Sequence, residues 1–140
     1  MSSYALCRLS IAFVWLYHGL VPKLLGPHRD ELAMNMALGL TAENAQLLAR
    51  VGGVSEVLFS AVVILFWKQR WPLVLTVAGM VALLIYSLIA VPTLAMGAFN
   101  PVTTNLCVLA LSLVALKQWE NLPDPSLSRD IQLDRQSTGR

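Results

Sequence analysis

Four apolar segments, each about twenty residues long, constrain the fold of this chain more than any other feature. They run from about Tyr4 to Leu25, Gln46 to Trp67, Trp71 to Pro92 and Pro101 to Trp119. A helix of about 20 residues crosses a hydrocarbon core of about 30 Å. Only 13% of the residues are charged, whereas soluble domains are about one-quarter charged. The sequence therefore predicts an all-α integral membrane protein, an antiparallel four-helix bundle in residues 1–120, followed by a polar tail in residues 121–140.

The first segment has one feature of a secretory signal, because Arg8 precedes its apolar run. No Ala-x-Ala-like cleavage site follows, and the run continues through Gly19 to Pro22 and Lys23. We therefore expect this segment to remain in the protein as a membrane span.

The basic residues predict the orientation of the bundle. With a cytoplasmic N-terminus, those inside are Arg8, Lys68, Arg70, Lys117, Arg129, Arg135 and Arg140, and those outside are Lys23, Arg29 and Arg50. Cytoplasmic loops carry an excess of Lys and Arg. A multi-pass protein of the cell membrane is expected, with both termini and the tail in the cytoplasm. The net charge of +2 is too small to indicate nucleic-acid binding.

Local signals predict where several helices begin. A short extracytoplasmic interfacial helix is expected from Asp30 to Leu38, with Asp30 as its cap. Thr41 is expected to cap the second span, and Asn100 the fourth, where Pro101 follows at the first helical position. Prolines at 22 and 92 are expected to disturb the first and third spans, because proline cannot donate to the carbonyl four residues earlier.

Glu56 is an isolated carboxylate within the apolar second span. A charge at the centre of a membrane helix costs about 3 kcal/mol on insertion scales, so such residues usually face the bundle interior. Its helix face also carries four small residues at helical spacing: Ala45, Ala49, Gly53 and Ser60. Small residues let membrane helices approach closely. The pattern predicts that Glu56 points into the bundle.

Four further polar residues fall at a similar depth in the outer half of the membrane: His18, Lys23, Asn100 and Asn105. Each candidate also has a structural interpretation. Lys23 can extend to the headgroups, His18 can hydrogen-bond a neighbouring helix, and Asn100 can act only as a cap. Glu56 can fix the helix register through an ion pair with Lys23 or a contact with Asn105. Together the five residues predict a polar pocket, without a metal site.

The two cysteines, Cys7 and Cys107, fall at opposite depths in the membrane, so a disulfide between them is not expected. No Cys-x-x-Cys is present. Both are interpreted as small hydrophobic residues.

Three motifs resemble the DoxX-like branch of the DoxX superfamily, a group of small four-helix membrane proteins. They are WLYHGLVPKLL at 15–25, GGVSE at 52–56 and FNPVTTN at 99–105, and the resemblance covers about residues 5–118. The founding member is a subunit of an archaeal thiosulfate:quinone oxidoreductase, and other members are associated with thiol or oxidative-stress systems. Distant relatives act in cargo export or receptor assembly. Quinone-linked disulfide-forming enzymes share the four-helix scaffold but carry paired cysteines, which this chain lacks.

Two hypotheses for the function follow from the resemblance and the polar residues. In the first, the chain is a redox-associated membrane subunit whose pocket binds a quinone or similar amphiphile. Lys23 or His18 would hydrogen-bond a ring oxygen, and Glu56 would accept or relay a proton. Its partners would be the lipid bilayer and a soluble or membrane redox protein.

In the second hypothesis, the chain is a non-catalytic membrane scaffold or assembly factor in which the same polar residues clamp the helices. A proton-coupled transporter fits less well, because the polar cluster has no inward-facing counterpart. The sequence leaves open whether the chain is catalytic and whether it forms homo-oligomers.

Overall fold

The computed structural model describes residues 1–98 and 100–120, and these residues form helices and turns without a strand. The helices are α1 (Ser3–Gly19), α2 (Arg29–Met36), α3 (Ala42–Leu65), α4 (Trp71–Ala90), α5 (Pro92–Ala95) and α6 (Pro101–Trp119). A π-helical turn, Leu20–Leu24, extends α1. The polar tail expected in residues 121–140 lies outside the described residues, as does Phe99 of the third motif.

Four helices in the described part of the chain are long and apolar enough to cross a membrane: α1 with its π-helical turn, α3, α4 and α6. Large apolar side chains cover their outward surfaces. Phe13, Leu58, Ile85 and Leu106, one on each span, are all more than half exposed. Exposed apolar surface of this extent marks contact with lipid or another protein. The four-helix membrane bundle predicted from the sequence is confirmed.

The caps predicted for two spans are confirmed. The side chain of Thr41 accepts a hydrogen bond from the N–H of Asn44 at the start of α3. The side chain of Asn100 accepts one from the N–H of Thr103 at the start of α6, with Pro101 as the first helical residue. These side chains satisfy N–H groups that have no partner within the helix.

The cap predicted for α2 is wrong. His28 precedes the helix in an extended conformation, and its Nδ1 accepts a hydrogen bond from the N–H of Asp30. Arg29 is therefore already helical. Asp30 lies in the first turn, where its negative charge interacts favourably with the helix dipole. The helix ends at Met36 and not at Leu38, because Gly39 follows with a positive φ of 83°.

Proline alters the helices at two further positions, only one of which departs from the predicted boundaries. Helix α4 ends at Ala90, and Pro92 begins the separate short helix α5 instead of ending the span. Val91 leaves the helical region, with φ −141° and ψ 58°, as expected for the residue before a proline. Pro22 disturbs the first span as expected, and the disturbance is a π-helical turn in which the N–H of Leu25 donates to the carbonyl of Leu20.

Helix α1 is central in the bundle. It packs along α3 and α6, and α6 packs along α4. In contrast, α3 and α4 make little contact although only a short turn joins them. Midway along the bundle Trp15 lies between them, because its Nε1 donates to Thr76 of α4 and its ring packs edge-on against Phe59 of α3.

Helices α1 and α3 approach closely where Gly19 meets Gly53. A Cβ atom placed on Gly53 would lie 2.8 Å from the carbonyl oxygen of Gly19, and one on Gly19 would lie 2.6 Å from the carbonyl oxygen of Gly53. The two backbones are therefore in direct contact, which only glycine permits. The small residues of the same α3 face are buried, as predicted: Ala45, Ala49, Gly53 and Ser60.

Arg8 is fully buried near the start of α1. Its guanidinium donates to the carbonyl oxygen of Val63 at 2.8 Å, to that of Gln69 at 3.0 Å and to that of Phe66. These carbonyls lie at and just beyond the C-terminus of α3, where no further helical N–H is available and where a cation complements the dipole. Arg8, which the sequence interpretation considered only as a possible signal-peptide residue and in the charge count, thus fixes the end of α3 to α1.

Candidate functional site

A cavity of about 380 Å³ lies at the end of the bundle opposite Arg8, beneath α2. Its volume falls within the usual range of small-molecule pockets, about 300–1,000 Å³. Its lining comes from α1 and its π-helical turn, α2, α3, α4 and α6: His18, Lys23, Glu31, Met34, Asn35, Leu38, Leu48, Gly52, Glu56, Leu83, Tyr86, Pro101 and Asn105. The structure thus brings together four of the five predicted site residues, and Asn100 lies outside the cavity.

Lys23 and Glu56 form an ion pair in this cavity, with Nζ and Oε1 separated by 2.5 Å. Their side chains are only 15% and 14% exposed. The crossing of α1 and α3 makes room for both. A Cβ on Gly53 would collide with the Cβ of Lys23, and one on Gly19 with the Cβ of Glu56, each at 2.9 Å. The glycine pair therefore seats the ion pair between the two helices.

Glu31 of α2 is a second carboxylate on the same lysine, with its Oε1 at 3.5 Å from Nζ of Lys23. Burial raises the pKa of the Glu31 carboxyl above its usual value, and the nearby charge of Glu56 raises it further, whereas Lys23 lowers it. One ammonium therefore serves two carboxylates. When both are ionised, these three side chains carry a net negative charge.

Several polar groups that line the cavity make no hydrogen bond to the described residues. Oε2 of Glu56 is buried and has no hydrogen-bond partner within residues 1–98 and 100–120. Asn105 is only 9% exposed, and its side-chain amide makes no hydrogen bond within the described part of the chain, nor does the imidazole of His18. Of these groups, only Oε2 of Glu56 is a buried atom without a partner among the described residues, and buried polar atoms in proteins are nearly always satisfied. Unpartnered groups around a cavity of this size are typical of a site for a polar ligand head.

Comparison with known proteins identifies the family. The sequence profile of the DoxX-like family matches residues 12–113, which include every candidate site residue. The chain belongs to the DoxX-like family. No curated protein and no solved structure matches it. The resemblance seen in the sequence motifs is thereby confirmed.

Helix α2 covers the cavity of the DoxX-like protein through contacts that the sequence interpretation missed. Nδ2 of Asn35 donates to the carbonyl oxygen of Ala45 at 3.0 Å. The hydroxyl of Tyr86 donates to the carbonyl oxygen of Met34. Glu31 lies four residues before Asn35, hence on the same face of α2. This four-residue spacing is the sequence feature that could have predicted that Glu31 faces the bundle together with Asn35. No pattern around Tyr86 distinguishes it from an interfacial aromatic residue.

Asn100 occupies a different position. Both ends of its amide serve the turn before α6: Nδ2 donates to the carbonyl oxygen of Gly97 at 2.9 Å, and Oδ1 accepts from Thr103. Its side chain lines a neighbouring depression of about 280 Å³, together with His18 and Glu31. The structure thus assigns Asn100 a capping contact, and a role in ligand binding stays a prediction.

Proposed function

We propose that this DoxX-like protein is a redox-associated membrane subunit that binds a quinone, or a similar amphiphile with a polar head, in the cavity around Glu56. The observation that carries the proposal is the set of unpartnered polar groups, above all Oε2 of Glu56 and the amide of Asn105, in a cavity with apolar side chains such as Leu48 and Leu83. Apolar walls with a few convergent polar groups are the usual design of a pocket for such a ligand.

The packing of the bundle supports access from the lipid. Helices α3 and α4 make little contact, and the cavity lies between residues of both, Leu48 and Gly52 on α3 and Leu83 and Tyr86 on α4. A ligand moving within the bilayer enters through this gap, with its polar head toward Glu56 and its apolar tail left in the lipid. Trp15 closes the gap further along the bundle.

The charged groups define roles for a ring-shaped head. The Lys23 ammonium or the His18 imidazole donates a hydrogen bond to a ring oxygen, and the Glu56 carboxylate accepts or relays a proton. Electrons are exchanged with a soluble or membrane redox protein. The protein's own thiols suit that role poorly, because Cys7 is buried near Arg8, Cys107 is exposed on α6, and the two do not pair.

We further propose that both termini are cytoplasmic, which places the cavity and α2 on the extracytoplasmic side. Three exposed basic residues at the Arg8 end of the bundle support this orientation: Lys68, Arg70 and Lys117. Among the described Lys and Arg residues at the α2 end, only Arg29 and Arg50 are exposed, because Lys23 is half-buried in its ion pair. The positive-inside rule favours the more basic end in the cytoplasm.

A scaffold role is the second candidate, and one observation favours it. The Lys23–Glu56 pair is seated on the Gly19–Gly53 crossing, so the same residues also hold α1 against α3. In a non-catalytic assembly factor, Lys23 and Glu56 would serve only to hold α1 against α3.

The two candidates differ in the behaviour of Glu56→Gln. The purified protein in lipid nanodiscs is titrated with a decyl-substituted benzoquinone by calorimetry, with empty nanodiscs as the blank. Saturable binding at about one ligand per chain that Glu56→Gln weakens supports the quinone site. Glu43→Gln is the matched control, because Glu43 lies exposed in the first turn of the same helix. Unchanged binding in Glu56→Gln with only a lower unfolding temperature rejects Glu56 as a ligand group and favours the scaffold.

A further inference from the structure

The hydrogen-bonding groups of the cavity distinguish between the two redox forms of a quinone. Oε1 of Glu56 is occupied by Lys23, whereas Oε2 is buried and lacks a donor within residues 1–98 and 100–120. A carboxylate oxygen accepts hydrogen bonds and cannot donate them. The ligand atom that meets Oε2 must therefore carry a hydrogen.

An oxidised quinone presents only carbonyl oxygens, which are acceptors. A carbonyl placed against Oε2 of Glu56 would bring two electronegative oxygens together without a proton between them. A hydroquinone presents a hydroxyl group in the same place, and this hydroxyl donates to Oε2. Hydrogen bonds to an ionised acceptor are among the strongest in proteins.

The amide of Asn105 fits the same head group. It lines the cavity, is 9% exposed, and makes no hydrogen bond of its own in the described part of the chain. Its N–H₂ group can donate to a hydroxyl oxygen that donates in turn to a carboxylate, because a hydroxyl carries both a hydrogen and lone pairs. One hydroxyl can thus satisfy both residues.

An ammonium head group would also donate to Oε2, but the cavity already contains a cation. Nζ of Lys23 lies on the other oxygen of the same carboxylate. A second cation on Oε2 would be repelled by Lys23 and attracted by the second carboxylate of the site, Glu31. An ammonium-headed probe is therefore included in the test.

We propose that the cavity selects a hydroxyl-headed amphiphile, and so binds the hydroquinone form of its ligand in preference to the quinone form. The inference rests on the proposed function and adds to it the redox form of the ligand. Glu56 is the residue that makes the distinction, and Asn105 binds the hydroxyl oxygen.

The test compares three probes with the same decyl tail under anaerobic conditions: a benzoquinone, its hydroquinone and the dimethyl ether of that hydroquinone. Each is titrated into the full chain in nanodiscs by calorimetry. We expect the hydroquinone to bind about tenfold or more tightly than the quinone, because one hydrogen bond to a charged group changes an affinity by about this factor. The dimethyl ether, in which methyl groups replace both hydroxyl hydrogens and the donors are lost, should bind no better than the quinone.

The variant Glu56→Gln sharpens the test. The glutamine amide can donate to a quinone carbonyl, so the preference should fall to about threefold or less, or reverse. Glu43→Gln, exposed on the same helix, should leave the preference unchanged. Asn105→Leu, of similar volume and without the amide, should weaken binding of the hydroquinone.

The outcomes separate this inference from the proposed function. Equal or tighter binding of the quinone by the unmodified protein overturns the inference and leaves the proposed function standing. A decyl-ammonium probe that binds more tightly than the hydroquinone also overturns the inference. Saturable binding of none of the ring probes overturns the proposed function itself. The comparison in the unmodified protein needs no variant, so the inference remains decidable if Glu56→Gln fails to fold.

Discussion

Lys23 and Glu56 form their ion pair across the closest approach of α1 and α3, and each occupies the space that a glycine on the other helix leaves open. The Cβ of Lys23 lies against Gly53, and the Cβ of Glu56 lies against Gly19. The charged pair and the small-residue packing are therefore one structural unit. A change in either glycine should disturb the site as well as the bundle.

Gly53→Ala should destabilise the protein by about 1–3 kcal/mol, the usual cost of an added methyl group in a tightly packed core. The new Cβ would lie 2.8 Å from the carbonyl oxygen of Gly19, which belongs to the backbone and cannot move alone. Thermal unfolding in detergent, followed by circular dichroism, measures the change. Gly52→Ala is the control, because a Cβ there meets only Nζ of Lys23 at 4.0 Å. Equal unfolding temperatures for the two variants would contradict the close approach.

Filling the cavity should weaken ligand binding without unfolding the bundle. Gly52 lines the cavity and has open space beside it, so Gly52→Leu places an apolar side chain where a ligand head would lie. We expect the affinity for the decyl-substituted ring probes to fall about tenfold or more, with little change in unfolding temperature. Val54→Leu on the exposed face of the same helix is the control and should bind normally. Undiminished affinity in Gly52→Leu would place the binding site elsewhere.

Arg8→Gln should destabilise the bundle by about 3 kcal/mol or more, the usual effect of breaking a buried charged contact. The shorter, uncharged side chain cannot reach the three carbonyls at and beyond the C-terminus of α3 that Arg8 now satisfies. The loss is measured as a lower midpoint of chemical unfolding in micelles. Arg70→Gln, an exposed basic residue at the same end of the bundle, should change the midpoint by much less. If the two substitutions lower the stability equally, Arg8 contributes to stability only through its charge and not through its hydrogen bonds.

The sequence predicted the spans and the inward face of α3 because these depend on local periodicity and hydropathy. Glu56 and Lys23 could be placed at the same depth from residue counts alone. The lateral separation of α3 and α4 could not be predicted, because a short connection normally indicates packed neighbours.

The buried roles of Arg8 and Glu31 were missed for a similar reason. A basic residue near a span end and an acidic residue in a connecting helix look solvent-exposed in the sequence. Only the tertiary structure shows that Arg8 donates to carbonyl oxygens of α3 and that Glu31 forms an ion pair with the half-buried Lys23.

Glu31 should make the stability of the protein depend on pH. Burial raises the pKa of its carboxyl in the folded protein above the unfolded value. The contribution of this group to stability is therefore fully present below the unfolded pKa and is lost as the pH rises through the folded pKa. Glu31→Gln removes that titration. The unfolding temperature of the unmodified protein, relative to this variant, should fall as the pH rises above about 4, the usual pKa of a glutamate side chain.

The measurement is a series of thermal unfolding curves in detergent at increasing pH, with Glu43→Gln as the control for the loss of one exposed carboxylate. The direction of the change decides the result. If the unmodified protein instead gains stability relative to Glu31→Gln as the pH rises, then attraction to Lys23 outweighs the burial of Glu31. In that case α2 is held to the bundle chiefly by the ion pair, and high salt should loosen it.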